Sequence, residues 1–303
     1  MPSLRDYRDR IASVKSTRKI TSAMKMVAAS KLKKAQDKAE TSQPYAKAMS
    51  DMMVRIAKEL VIGSDGPALL VGTGKQDVHL LVVVSADRGL CGGFNANIIR
   101  RANAQIKELV DEGKEVKLLC VGRKAYDAFR RTHKDKVLDH FTGLGGKQAV
   151  SFSEANEVTQ TILDYFKGGE FDVCTVLYNE FQSVLTQRPM AQQLIPFSMT
   201  FDGDDAVNDN DGLDADLMSM PYEFEPSQDA IFEQLLPKNL GVQVFRALLD
   251  NAAGEQAARM TAMDNATRNA GDLIKDLTLK YNRARQAYIT KELIEIISGA
   301  EAV

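Results

Sequence analysis

The stretch that most invites a chemical reading is SADRGLCGGFN, Ser85–Asn95. It follows an apolar run, Val78–Ser85, and leads into a segment with helical periodicity. A strand, a glycine-rich turn and a helix place backbone N–H groups at a helix start, where an anion can be held. The glycines are Gly89, Gly92 and Gly93, spaced G-x-x-G-G. That fits neither the G-x-x-x-x-G-K-[ST] phosphate loop nor the G-x-G-x-x-G dinucleotide fingerprint. The competing reading is a tight strand-to-helix turn in which glycine supplies positive φ. Cys91 is a nucleophile by type, but no histidine stands near it in sequence.

Other chemistry is thin. Cys91, Cys120 and Cys174 are an odd number without CxxC spacing, which argues against a disulfide framework or a zinc site. His79, His133 and His140 show no ligand spacing. Phe201–Pro226 holds nine acidic residues, yet a calcium loop turning at Gly212 would need Glu at position 218, which is Met218. A solvated acidic loop is expected there. Lys15–Lys38 is basic enough to suggest nucleic acid, but it lacks aromatic residues and its charge is not confined to one face. No metal, cofactor, direct nucleotide binding or nucleic acid is therefore expected.

Charge along the 303 residues divides the chain by task. Residues 1–40 carry eleven Lys/Arg against four Asp/Glu, residues 242–303 carry eight of each, and the intervening segment carries 20 against 29. A basic arm, an acidic middle and a balanced tail suggest three separate jobs. No apolar run approaches the roughly 18 residues of a membrane span, and the first residues lack the apolar core of a secretory signal.

The elements that must position these residues follow from periodicity. The first sixty residues read as helix, with Ser3 as cap and Asp6 in the first turn. Apolar positions recur at Leu4, Tyr7, Ile11 and Val14. They resume at Ile20, Met24 and Val27, implying a phase slip near Thr17–Ile20, and Pro44 is a candidate kink. From Val78 to about Phe201, short apolar runs alternate with helical patterns. Val78–Ser85, Val116–Val121 and Phe171–Tyr178 read as strands; Ala96–Val110, Arg123–Arg131 and Ser153–Phe166 read as helices. Ser183–Phe197 offers an antiparallel pair. Such alternation predicts a Rossmann-like α/β domain with a mainly parallel sheet.

The tail sustains a heptad seam through Leu249, Ala253, Met260, Met263, Ala270, Ile274, Leu277, Tyr281, Ala284 and Tyr288. Only Gln256 and Thr267 interrupt it. The expected architecture is a long antiparallel coiled coil of the N- and C-terminal helices plus the α/β domain. The boundaries read as 1–62, 76–200, an acidic loop 201–226, and 227–303 with a possible break near Pro237. The chain's end turns apolar on all sides at Ile294, Ile296 and Ile297, which points to a hydrophobic socket.

Three blocks, Ile11–Gln36, Ser85–Asn95 and Ala258–Ala300, resemble the γ-subunit family of F-type ATP synthases, in the family's order and spacing. The resemblance covers essentially the whole chain and is loosest around the acidic loop. The cysteines match no chloroplast-type redox pair, and the likeness is to alphaproteobacterial members. It implies a non-catalytic central rotor, one copy per complex. The shaft would stand inside a ring of three α and three β subunits, and the α/β domain would meet the ε subunit and the c-ring of Fo. That places it as a peripheral protein on the cytoplasmic face of a bacterial inner membrane. Carried over onto this sequence, the contacts to the β subunit are Met24, Lys25, Arg88, Arg259, Arg285, Gln286 and Thr290. The apolar tip in the bearing is Ile294, Ile296, Ile297 and Val303. The alternatives are a coiled-coil scaffold or a nucleic-acid-binding protein.

Overall fold

A computed structural model describes residues 3–60, 67–146, 149–197 and 228–301; the acidic stretch Phe201–Pro226 and Val303 lie outside them. The elements in chain order are α1 (Leu4–Leu60), α2 (Ala68–Val71), β1 (Val78–Val84), α3 (Phe94–Asp111), β2 (Glu115–Val121), α4 (Arg123–Thr132), β3 (Val137–Phe141), α5 (Phe152–Lys167), β4 (Val173–Phe181), β5 (Gln187–Ile195) and α6 (Gln228–Glu301). The chain forms two compact units. One joins residues 1–30 to 259–303, and the other is 31–258, so the division runs through both long helices.

The larger unit is built on a sheet of order β3-β2-β1-β4-β5. β3, β2, β1 and β4 are parallel, and β5 pairs antiparallel with β4. Parallel strands are covered on both faces, which is why VHLLVVV reads as an unbroken apolar run. Successive residues of β1 serve opposite layers. Leu80, Val82 and Val84 pack with Val158 and Ile162 of α5 and with Leu240, Val244 and Leu248 of α6. Leu81 and Val83 pack with Ile98, Ala102 and Ile106 of α3 and with Phe129 of α4. Each such buried Leu or Ile contributes about 1.5–3 kcal/mol relative to exposure. A capping box starts α5: Glu154 N donates to Ser151 Oγ at 3.3 Å, and Ser151 N donates to the Glu154 carboxylate at 2.7 Å.

The sheet departs from expectation at its edges. Ser183–Phe197 supplies one strand, β5, whose antiparallel partner is β4 rather than a second strand of its own. β3 was not anticipated: VLDHF is only five residues long and carries Asp139 and His140, so no apolar run marks it. Two prolines also behave differently. Pro44 lies inside α1 and Pro237 inside α6, and neither ends its helix. Proline forfeits a backbone hydrogen bond. Here the flanking turns are held by tertiary packing, with buried Met49 of α1 against buried Leu236 of α6.

In the smaller unit, α1 and α6 run antiparallel. Arg8 meets Tyr281, Thr21 meets Thr267 and Lys25 meets Asp264, so the partner's index falls as that of α1 rises. Ser3 and Asp6 close the first turn reciprocally: Asp6 N donates to Ser3 Oγ at 3.1 Å and Ser3 N to the Asp6 carboxylate at 2.9 Å. Those bonds hold the Asp6 carboxyl below its ordinary range. The inward face of α6 is Met263, Thr267, Ala270, Ile274, Leu277, Tyr281 and Ala284, in steps of 4 and 3. Thr267 thus fills the seam that it was expected to interrupt, whereas Tyr288 is exposed. On α1 the inward face is Leu4, Tyr7, Ile11, Val14, Thr21, Lys25 and Ala28. The expected phase slip is absent. Ile20 and Val27 lie outside, because the seam here uses a hydroxyl and a small residue where counting large apolar side chains selects their neighbours.

Candidate functional site

The loop between β1 and α3 spends its polar groups on backbone of the same chain. Asp87 accepts from Arg123 N at 2.9 Å with one carboxylate oxygen and from Gly143 N at 2.8 Å with the other. That carboxylate caps the start of α4, whereas α3, the helix this loop leads into, begins at Gly93 without a side-chain cap. Ser85 Oγ accepts from Ala125 N at 2.8 Å, and Asn95 Oδ1 accepts from Ala86 N at 2.9 Å. Left-handed backbone occurs at Leu90, with φ of 65°, and at Gly92, with φ of 58°. Nearby Gly122 has φ of 101°, and a Cβ there would lie 2.3 Å from the Ser85 carbonyl oxygen. This is a compact strand-to-helix turn. Of its residues, Arg88, Gly89, Leu90, Gly92 and Gly93 are exposed.

Cys91 is buried, and its sulfur accepts from Asn95 Nδ2 at 3.1 Å. Cys120 and Cys174 are buried too; loss of solvation pushes the Cys120 thiol up to about 12 and raises that of Cys174. Thiols so placed are inert as nucleophiles. Among the described residues, no group of His, Cys, Asp and Glu could hold a metal ion. A niche is lined by Leu69, Leu194, Leu236 and Leu240, with Asn239 and Gln243, and among the described residues no charged side chain lines it to receive a phosphate.

Apart from Arg88 on the β1–α3 loop, the carried-over contact residues lie on the two long helices. In the smaller unit, Met24 and Lys25 are half-buried on α1, and Arg259 is half-buried on α6. Arg285, Gln286 and Thr290 are exposed on α6, with Thr290 Oγ1 donating to the Gln286 carbonyl at 2.9 Å. Lys25 is engaged within the helix pair: its Nζ lies 2.6 Å from Asp264, whose other oxygen is 3.4 Å from Arg268. The bond from Lys25 is the main reason the Asp264 carboxyl lies below its ordinary range. Because Lys25 sits opposite Asp264, the Arg285–Thr290 stretch begins 21 residues farther along, roughly 30 Å at 1.5 Å per residue. The residues thus form two separated stations on one helix pair, not one pocket. Farther on, Ile294, Ile296 and Ile297 are all exposed, beside exposed Ile289 and Leu293. Val303 lies outside the described residues. Sequence periodicity missed the outward apolar positions Ile20 and Val27, which it had placed on the seam.

Comparison with known proteins gives a uniform result. The family model described as ATP synthase matches residues 3–303. The ATP synthase gamma chain of Parvibaculum lavamentivorans is 53% identical over 305 residues, covering all of both chains. That of Brucella anthropi is 54% identical over 303 residues, again covering both in full. Among solved structures, a chain from the central stalk and c-ring of the Tetrahymena thermophila mitochondrial ATP synthase aligns with a TM-score of 0.59 at 27% identity. That alignment covers 82% of this chain and 99% of the other. A chain of the Euglena gracilis mitochondrial ATP synthase shares the fold, with a TM-score of 0.65 at 21% identity over 99% of this chain and 94% of its own.

Proposed function

The chain belongs to the ATP synthase gamma chain family, and on that premise we propose that it is the central rotor stalk of an F1Fo ATP synthase. As a γ chain it is a non-catalytic subunit. The observation that carries the reading is identity above half with gamma chains over the full length of both proteins. The same comparisons favour neither a free-standing scaffold nor a nucleic-acid-binding protein.

In this reading the paired halves of α1 and α6 stand inside the ring of three α and three β subunits. The sheet-bearing unit meets the ε subunit and the c-ring. One copy serves each complex, peripheral to the cytoplasmic face of a bacterial inner membrane. Proton flow turns the c-ring and the chain with it. The helix pair then offers different faces to the three β subunits in turn, biasing each between its conformations by differential contact. Arg88, Met24, Lys25, Arg259, Arg285, Gln286 and Thr290 are the proposed contacts to β. Ile294, Ile296, Ile297 and Val303 form the proposed bearing, where apolar side chains offer no directional hydrogen bonds to break during turning.

Reconstitution tests this directly. α and β subunits assembled with the chain should hydrolyse ATP faster than the same subunits without it, and the chain alone should not hydrolyse ATP. Equal turnover with and without the chain would overturn the rotor reading.

A further inference from the structure

We propose that a polar layer, Thr21–Thr267 with Lys25–Asp264, sets the rotational phase of α1 about its own axis. In this stretch α1 carries two competing faces. The inward one presents Thr21 and Ala28, which are 9% and 1% exposed. One residue back on the helical wheel stand Ile20 and Val27, 57% and 58% exposed. Rotating α1 by one residue, about 100°, would exchange the first pair for the second. Within Ile20–Ala28 taken alone, apolar burial favours that rotated phase, since isoleucine and valine bring more hydrocarbon than threonine and alanine; Leu4, Tyr7, Ile11 and Val14 hold the present phase in the turns before it.

Two observations oppose it. The hydroxyls of Thr21 and Thr267 are 2.8 Å apart across the seam. One turn on, Lys25 Nζ donates to Asp264 at 2.6 Å, and Arg268 approaches the same carboxylate from α6 at 3.4 Å. Rotation separates both pairs at once. It also drives branched side chains into a space shaped by threonine and alanine, which overpacks it. The layer works as a polar residue at a coiled-coil seam does, giving up some apolar stability for one defined alignment. Lys25 and Thr21 are positioning residues here, and Ile20 and Val27 stay outward because of them. The inference concerns the chain itself and stands apart from the rotor reading.

The test uses the full chain and a thiol reagent, with Cys91, Cys120 and Cys174 buried and slow to react. Val27→Cys and Ala28→Cys are made separately and their labelling rates with a small maleimide compared. The Val27→Cys thiol is expected to react at least about tenfold faster. In a Thr21→Val, Lys25→Asp background the ratio should fall to about threefold or less. In the charge-exchanged Lys25→Asp, Asp264→Lys background it should return, as a double-mutant cycle requires of a direct pair. An unchanged ratio in the first background overturns the proposal. If that variant loses helicity by circular dichroism, the charge exchange decides: restored helicity and ratio support the layer, and failure to restore them overturns it.

Discussion

At the scale of single residues, the chain keeps its chemistry out of reach. The three thiols are buried, and the loop that resembles a phosphate cradle holds its own Asp87 at the start of α4. Asp250 of α6 is the exception in kind. Burial pushes its carboxyl up to about 6; Arg246 opposes the shift and Glu180 of β4 reinforces it. A carboxyl whose folded pKa is raised binds more protons folded than unfolded between about pH 4 and 6. Its contribution to stability is therefore full below that window and lost as pH rises through it. The difference is on the order of 2–3 kcal/mol at neutral pH. Asp250→Asn should raise the urea midpoint of the full chain at pH 7.5 and raise it much less at pH 4.5, where the folded carboxyl is protonated. A lower midpoint at pH 7.5 would show that the ionised carboxylate stabilises the fold. Asp6, Glu154, Asp172 and Asp264 shift the other way, each held down by hydrogen bonds. Only the difference between wild type and variant isolates Asp250. None of this is visible in ALLDNAA, where Asp250 looks like any helix-surface acid; its burial comes from the fold, and Glu180, which reinforces the shift, is on a strand seventy residues away.

At the scale of elements, two of the glycines of α6, Gly254 and Gly271, have opposite meanings. A Cβ on Gly254 would lie 3.1 Å from Phe94 and 3.4 Å from Gln187, so the helix passes close against the start of α3 and β5. Gly271 has nothing within 4 Å of the same position. Gly271→Ala should stabilise the chain by about 0.5–1 kcal/mol through helix propensity. Gly254→Ala should destabilise it despite the same propensity gain, because Phe94 is itself buried and cannot simply move aside. Thermal melts followed by circular dichroism compare the two, and equal shifts would refute the close approach. In sequence the two glycines look alike, because what each faces is set by the fold. Element types were legible where one signal dominated. The parallel strands announced themselves as apolar runs, and the seam of α6 kept its 4–3 steps through Thr267. What failed was phase and edge. Periodicity points to Ile20 and Val27 for the seam because it weighs size and not partnership. β3 escaped because an edge strand of five residues carries little apolar signal.

At the scale of the whole molecule, the compact units cut across the helices that the sequence presents as continuous. Residues 31–60 and 228–258 belong with the sheet, and residues 1–30 and 259–301 pair with each other. The family resemblance was legible in three blocks, whereas the contact residues within them were not separable from ordinary solvated helix surface. The tip distinguishes the two kinds of role. Ile294, Ile296 and Ile297 are exposed, so their hydrocarbon contributes nothing to the chain's own core, and substitutions at such sites usually stay within about 0.5 kcal/mol. Replacing all three by Asp should leave the melting curve of the full chain within a few degrees of wild type. The same change places three carboxylates where an apolar socket is proposed, and unpaired charges are costly to desolvate. Assembly with α and β subunits, measured by size-exclusion chromatography at equal concentrations, should fall severalfold. A marked drop in the chain's own melting temperature would assign the isoleucines to the fold. Full assembly by the triple variant would remove them from the bearing.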